Sequence, residues 1–217
     1  MYLSRIEINP ANPNTMRALA EPKFFHGAIE RGFPGERQRR LWRIDPLQGR
    51  LYLLLVSEEK PNLSYVGSQF GFPDRTPEWE TRDYTTLLQR IQPGSYWHFR
   101  LTANPTKHLP GDASQGRRGK VVPHVTAEHQ QQWLMDKAER HGFSLAQGEF
   151  LAVRQEQYRF CKPADHHRQV ELLSVTFEGG LTVTDADRFR QTLTEGIGRA
   201  RAYGMGMMTV VRAVKQP

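Results

Sequence analysis

Histidine is the one side chain whose ordinary titration falls near neutral pH, and His26 is placed where that property has chemical use. Pro22 suits the first position of a helix, so the chain from Lys23 to Arg31 reads as helical. At 3.6 residues per turn Phe25, Ile29 and Phe33 fall on one side, which faces a core. Lys23, His26 and Glu30 fall on a neighbouring stripe, so an imidazole stands between a cation and a carboxylate, with open space beside it at Gly27. Such an imidazole can take a proton from a ribose 2′-hydroxyl or give one to a departing 5′-oxygen, the two transfers that RNA self-cleavage requires. A nearby lysine or arginine would stabilise the charge on the phosphorane. By pattern alone, a surface histidine is more often an ordinary polar residue.

Three basic stretches accompany this helix. The loop from Lys107 to Lys120 carries Lys107, Arg117, Arg118 and Lys120 among glycines, and an anionic partner would order it. A hairpin from Arg154 to Arg168 carries Arg154, Arg159, Lys162 and Arg168, and either presses on a phosphate backbone or is simply a solvated face. The run from Gly196 to Gly206 follows a helix and precedes a strand, the reverse of the order a dinucleotide-binding turn needs. It offers backbone amides at Gly198, cations at Arg199 and Arg201, and a stacking face at Tyr203; a flexible turn is the alternative. Arg37 and Arg39, just past the early helix, complete the candidate RNA-facing set. The other histidines lack the spacing of a metal set, and no P-loop or nucleophile elbow occurs, so neither a metal nor a cofactor is expected.

These groups must be held by a chain of 217 residues with 30 Lys and Arg against 23 Asp and Glu, a formal net charge of +7 and a pI near 9.7. That balance favours a polyanionic partner. The single cysteine, Cys161, rules out an intrachain disulfide and fits a reducing cytoplasm; no segment is long and apolar enough to span a membrane. Strands are predicted at Tyr2 to Ile8, Leu41 to Ile44 and Leu51 to Val56, followed by a long surface loop from Lys60 to Pro77. Tyr84 to Ile91 resumes a regular element of unsettled type, and Pro93-Gly94 marks a boundary, giving domains at 1–92 and 93–217. The second half reads as strand Tyr96 to Ala103, a polar loop to Pro123, an amphipathic helix Ala127 to Arg140, and strands Phe150 to Phe160 and Gln169 to Phe177. Helix Ala186 to Glu195 and strand Met207 to Ala213 complete it. This β-α-β-β-α-β order is ferredoxin-like (RRM-like), with helices on one face of an antiparallel sheet and the other face free. The first half is a candidate for the same unit, making an α+β chain of two tandem ferredoxin-like domains.

Four segments in order carry a family likeness: Met1-Tyr-Leu-Ser-Arg5, Phe99-Arg-Leu-Thr-Ala-Asn-Pro-Thr-Lys107, Thr176-Phe-Glu-Gly179, and the glycine-rich Gly196 to Gly206. Together they resemble the CasE endoribonucleases of the CRISPR Cascade complex. The resemblance implies two ferredoxin-like domains, cleavage of CRISPR repeat RNA at the 3′ base of its stem-loop, and retention of the product crRNA among the other Cascade subunits. It implies that His26 is the catalytic histidine, acting without a metal and leaving a 2′,3′-cyclic phosphate or 3′-phosphate and a 5′-hydroxyl. The family's helper tyrosine three residues earlier is Lys23 here, a departure that makes an RNA-binding scaffold with weakened chemistry the alternative. Arg31 falls where relatives carry a lysine near the scissile phosphate, and Arg154, Arg159, Lys162 and Arg168 lie in the hairpin that meets the RNA stem.

Overall fold

The computed structural model describes residues 1–35, 38–111, 118–162 and 165–214, with the backbone alone for residue 162 and for 165–168. Strand β1 (Tyr2–Ile8) leads through helices α1 (Pro13–Ala20) and α2 (Lys23–Glu30) to the hairpin β2 (Leu41–Leu47) and β3 (Arg50–Ser57), then α3 (Ser64–Phe70) and β4 (Trp79–Asp83). These four strands form an antiparallel sheet in the order β2-β3-β1-β4. A short helix α4 (Thr85–Leu88) connects it to β5 (Tyr96–Ala103), a two-stranded ribbon of β6 (Thr106–Leu109) and β7 (Lys120–Pro123), and helix α5 (Ala127–Ala138). There follow β8 (Phe143–Ser144), the long pair β9 (Phe150–Lys162) and β10 (Asp165–Val183), helix α6 (Ala186–Glu195) and β11 (Met208–Arg212). The second sheet runs β11-β5-β10, with β9 and β8 both paired to β10, so each half has the ferredoxin-like connection read from the sequence.

Local chemistry explains the break that starts the site helix. Asn12 caps α1 by accepting from the Asn14 amide at 2.9 Å, with Pro13 at the first helical position. Pro22 then pushes Glu21 out of the helical region, to φ −128° and ψ 83°, and α2 restarts after it. Phe25, Ala28 and Ile29 on its inner face are buried with Ile6, Ile8, Val66 and Phe70, each large side chain contributing about 2 kcal/mol.

Strand β3 is apolar along its length because both its faces are covered. Leu53 and Leu55 join the core under α2, while Leu54 and Val56 join a second cluster containing Trp97, Phe177 and Phe189. The two halves therefore share a core. They are also joined by Arg43, only 2% exposed, whose donors are all engaged. Its Nε and Nη2 donate to Asp45 at 2.7 and 2.5 Å, Nη1 to the carbonyls of Arg100 and Met207 at 2.8 and 2.9 Å, and Nη2 to Thr209 at 2.8 Å.

Three expectations are corrected. The supposed loop 60–77 contains α3, because Leu63, Val66 and Phe70 share one side and bury against α2. The supposed polar loop before Pro123 contains the β6–β7 ribbon, in which Thr106–Leu109 pairs antiparallel with Lys120–Pro123 through main-chain groups that a polar composition does not disfavour. The open face of the second sheet is the floor of a cleft of about 670 Å³, because Trp42, Ile44 and Pro46 stand over Arg100, Thr102, Thr176 and Glu178. Among the described residues no helix is long and apolar enough to cross a membrane.

Candidate active site around His26

Helix α2 presents His26 at the edge of its buried face, with the side chain 30% exposed. The Nδ1 atom lies 4.0 Å from Glu30 Oε1, one helical turn later. Glu30 is held in turn by Arg40, whose Nη1 donates to its two oxygens at 3.3 and 3.2 Å while the guanidinium packs 3.8 Å from the Phe33 ring centroid. The imidazole thus faces a carboxylate that is itself held in place by Arg40.

The groove in front of His26 is lined by Glu30, Arg39, Arg40 and the turn Gly198 to Ala202, and encloses about 550 Å³. Arg199 is exposed, and Arg39 pairs with Glu195 at 3.4 Å. Arg201 donates to the Gly196 carbonyl at 3.0 Å, and burial together with neighbouring Arg39 pushes its pKa below the ordinary arginine value. A groove that gathers Arg39, Arg40, Arg199 and Arg201 is an attractive place for a polyanion. The turn keeps its shape through left-handed backbone at Gly198, φ +80°, and Gly204, φ +77°, where a Cβ would meet the Trp42 ring at 2.8 Å.

Lys23 is on the other side of the imidazole. Its Nζ pairs with Glu21 at 2.5 Å and donates to the Cys161 carbonyl at 2.9 Å, near the end of β9. Phe160, beside that carbonyl, packs against Tyr203 with ring centroids 5.1 Å apart. Helix, hairpin and glycine-rich turn therefore meet at His26. Tyr203, read from the sequence as a stacking face, is used in packing the turn to the hairpin.

The remaining sequence candidates divide by location. Arg39, Gly198, Arg199 and Arg201 gather in the His26 groove, and Arg31 lies exposed on α2's far side, 4.4 Å above the Tyr65 ring. Arg159 is exposed on β9 and pairs with Glu171 at 3.4 Å. Arg154 pairs with Glu156 at 2.6 Å and lines the cleft between the sheets instead of the His26 groove. Lys107, Arg118 and Lys120 are exposed on or beside the β6–β7 ribbon. Arg37 and Arg117, and the side chains of Lys162 and Arg168, lie outside the described residues. Sequence reasoning missed Arg40, whose role depends on a carboxylate ten residues away; its only signal was its place in a basic run with Arg37 and Arg39.

The chain is similar over almost its whole length to known proteins. The CRISPR-associated endoribonuclease Cse3 of Thermus thermophilus is 29% identical over 229 residues, covering 97% of this chain and 99% of that protein. A structure of CRISPR endoribonuclease Cse3 bound to a 19-nucleotide RNA superposes with a TM-score of 0.78 at 26% identity, covering 97% and 100% of the two chains. Thermus thermophilus Cse3 bound to an RNA representing a pre-cleavage complex gives a TM-score of 0.74 at 27% identity, covering 97% and 98%. Cas6e of Escherichia coli K-12, 20% identical with a TM-score of 0.61 and covering 98% and 100%, shares the fold. The family model described as CRISPR associated protein matches residues 1–212, nearly the whole chain, and the chain belongs to that family.

Proposed function

We propose that this protein binds the stem-loop of CRISPR repeat RNA, cuts it at the 3′ base of the stem without a metal, and keeps the product crRNA as a subunit of Cascade. The observation that carries this reading is the gathering of three elements around the helix that bears His26: Lys23 on α2, the β9 end at Phe160 and Cys161, and the turn bearing Arg199. In this reading the ribose 2′-oxygen bonds to the adjacent phosphorus while the bond from phosphorus to the 5′-oxygen breaks. The 2′-hydroxyl loses its proton and the 5′-oxygen gains one, His26 carrying out one of these transfers and water the other, while Lys23 and Arg31 offset the charge on the phosphorane. The products are a 2′,3′-cyclic phosphate, open to hydrolysis to a 3′-phosphate, and a 5′-hydroxyl. The stem is gripped by Arg39, Arg199, Arg201 and the Gly198 amide in the groove, by Arg154, Arg159, Lys162 and Arg168 of the hairpin sequence, and by Lys107, Arg118 and Lys120 on or beside the ribbon; Arg37 and Arg117 complete the set read from the sequence. A-form major grooves open at a stem's end, where such contacts reach.

Residues 1–92 and 93–217 are the two domains of this reading, joined through Arg43. We place the protein in the cytoplasm, where Cys161, an exposed free thiol, stays reduced.

Lys23 favours a second reading, an RNA-binding scaffold with weakened cleavage, because its ammonium is already engaged by Glu21 and the Cys161 carbonyl. Incubation with a stem-loop repeat RNA in EDTA separates the two. Wild-type product with a 5′-hydroxyl, absent with His26→Ala that still binds, supports the nuclease; tight binding of RNA that stays uncut supports the scaffold.

A further inference from the structure

A second basic cleft lies across α2 from the His26 groove. It encloses about 350 Å³ between α1, α2 and α3, and its walls include Arg17, Lys23, Phe24, Gly27, Arg31 and Tyr65. Arg17 and Arg31 are exposed, and neither has an ion-pair partner among the described residues. Each guanidinium instead lies over a ring, Arg17 at 4.3 Å from Phe24 and Arg31 at 4.4 Å from Tyr65. Stacking fixes the plane of a guanidinium while leaving its N–H donors and its outer face available. Gly27, the residue after His26, lines this cleft, and a Cβ there would meet nothing within 4 Å, so the helix surface is open at that point. A chain crossing from one cleft to the other passes beside His26.

We propose that this cleft binds the first unpaired nucleotide on the 3′ side of the scissile phosphate, with its base on the Arg17–Phe24 stack. The proposal rests on the nuclease reading, which puts the stem in the His26 groove and sends the unpaired strand over Gly27. The stack offers a flat cationic face that accepts any base and prefers the larger purines, with the side-chain amides of Asn14 and Gln69 also lining the cleft. Tyr65 is a positioning residue that orients Arg31.

The test uses two repeat RNAs carrying a 2′-deoxy nucleotide before the cut, one ending there and one extended by a few nucleotides. Wild type is expected to bind the extended RNA roughly tenfold more tightly, within the range known for base stacking on proteins. Arg17→Ala is expected to abolish that difference while leaving affinity for the short RNA unchanged, which also verifies its folding. An abasic first nucleotide should reproduce the loss in wild type and add nothing in Arg17→Ala. Equal affinity of wild type for both RNAs, an equal loss on both RNAs in Arg17→Ala, or an abasic effect that persists in that variant would overturn the proposal. Cleavage of the unmodified RNA is scored separately: an uncut RNA whose extension still tightens binding through Arg17 removes the nuclease reading and keeps the cleft.

Discussion

The Nζ of Lys23 donates to the carbonyl oxygen of Cys161 at 2.9 Å, linking α2 to the hairpin across 138 residues of sequence. The same ammonium pairs with Glu21 at 2.5 Å, so two of its three donor directions are used within the protein. A side chain beside the candidate imidazole thus also ties down the element expected to meet the RNA stem.

Replacing this ammonium tests both roles at once. Lys23→Met keeps the length and loses the charge, and is expected to slow single-turnover cleavage by about ten- to a hundredfold through loss of charge stabilisation. Lys23→Tyr restores the phenol implied by the family likeness and should recover part of that rate. An unchanged rate in Lys23→Met, at saturating protein, would reduce Lys23 to a tether.

A larger effect on stability is expected at the junction of the two halves. Asp45 is 4% exposed and accepts two bonds from Arg43, whose other donors reach the carbonyls of Arg100 and Met207. Asp45→Ala leaves a buried guanidinium without its counter-charge and should cost about 3 kcal/mol in urea unfolding. A loss below about 1 kcal/mol would mean that the backbone carbonyls alone satisfy Arg43.

The core and the imidazole were the legible parts of the sequence, and for different reasons. Strand β1 and helix α6 have the predicted bounds because period and caps are local signals; Asp185, for example, accepts from the Asp187 and Arg188 amides at the start of α6. Helix α3 was hidden because its run of Asn, Ser and Gly resembles a loop, and only packing on α2 reveals the inner row of Leu63, Val66 and Phe70. His26 could be picked out from its stripe, whereas Arg40, Arg17 and Tyr65 take part only through neighbours from other elements.

Acid should weaken the fold through His141. Its Nδ1 lies 2.9 Å from Thr192 Oγ1, and burial, aided by Lys137 and Arg201, lowers its pKa from the ordinary 6.5. The unfolded chain therefore binds the proton more readily, so stability is intact above pH 6.5 and falls as pH drops through that value toward the lower folded-state value. Thermal unfolding between about pH 8 and 5.5 should shift down less in His141→Asn than in wild type. Equal shifts in both proteins would assign the acid sensitivity elsewhere.

Salt dependence separates cations that touch phosphate from those that merely add to the net charge. Arg199 is exposed at the rim of the His26 groove, whereas Arg140 is exposed just beyond α5, outside that groove. Each phosphate contact releases condensed counterions, so removing one lowers the slope of log affinity against log salt by about one, while a distant cation hardly alters it. Stem-loop RNA titrations over a salt series should therefore give a shallower slope for Arg199→Gln and an unchanged slope for Arg140→Gln. If both variants flatten the slope equally, the RNA responds to overall charge, and the groove before His26 loses its claim to be where the backbone lies.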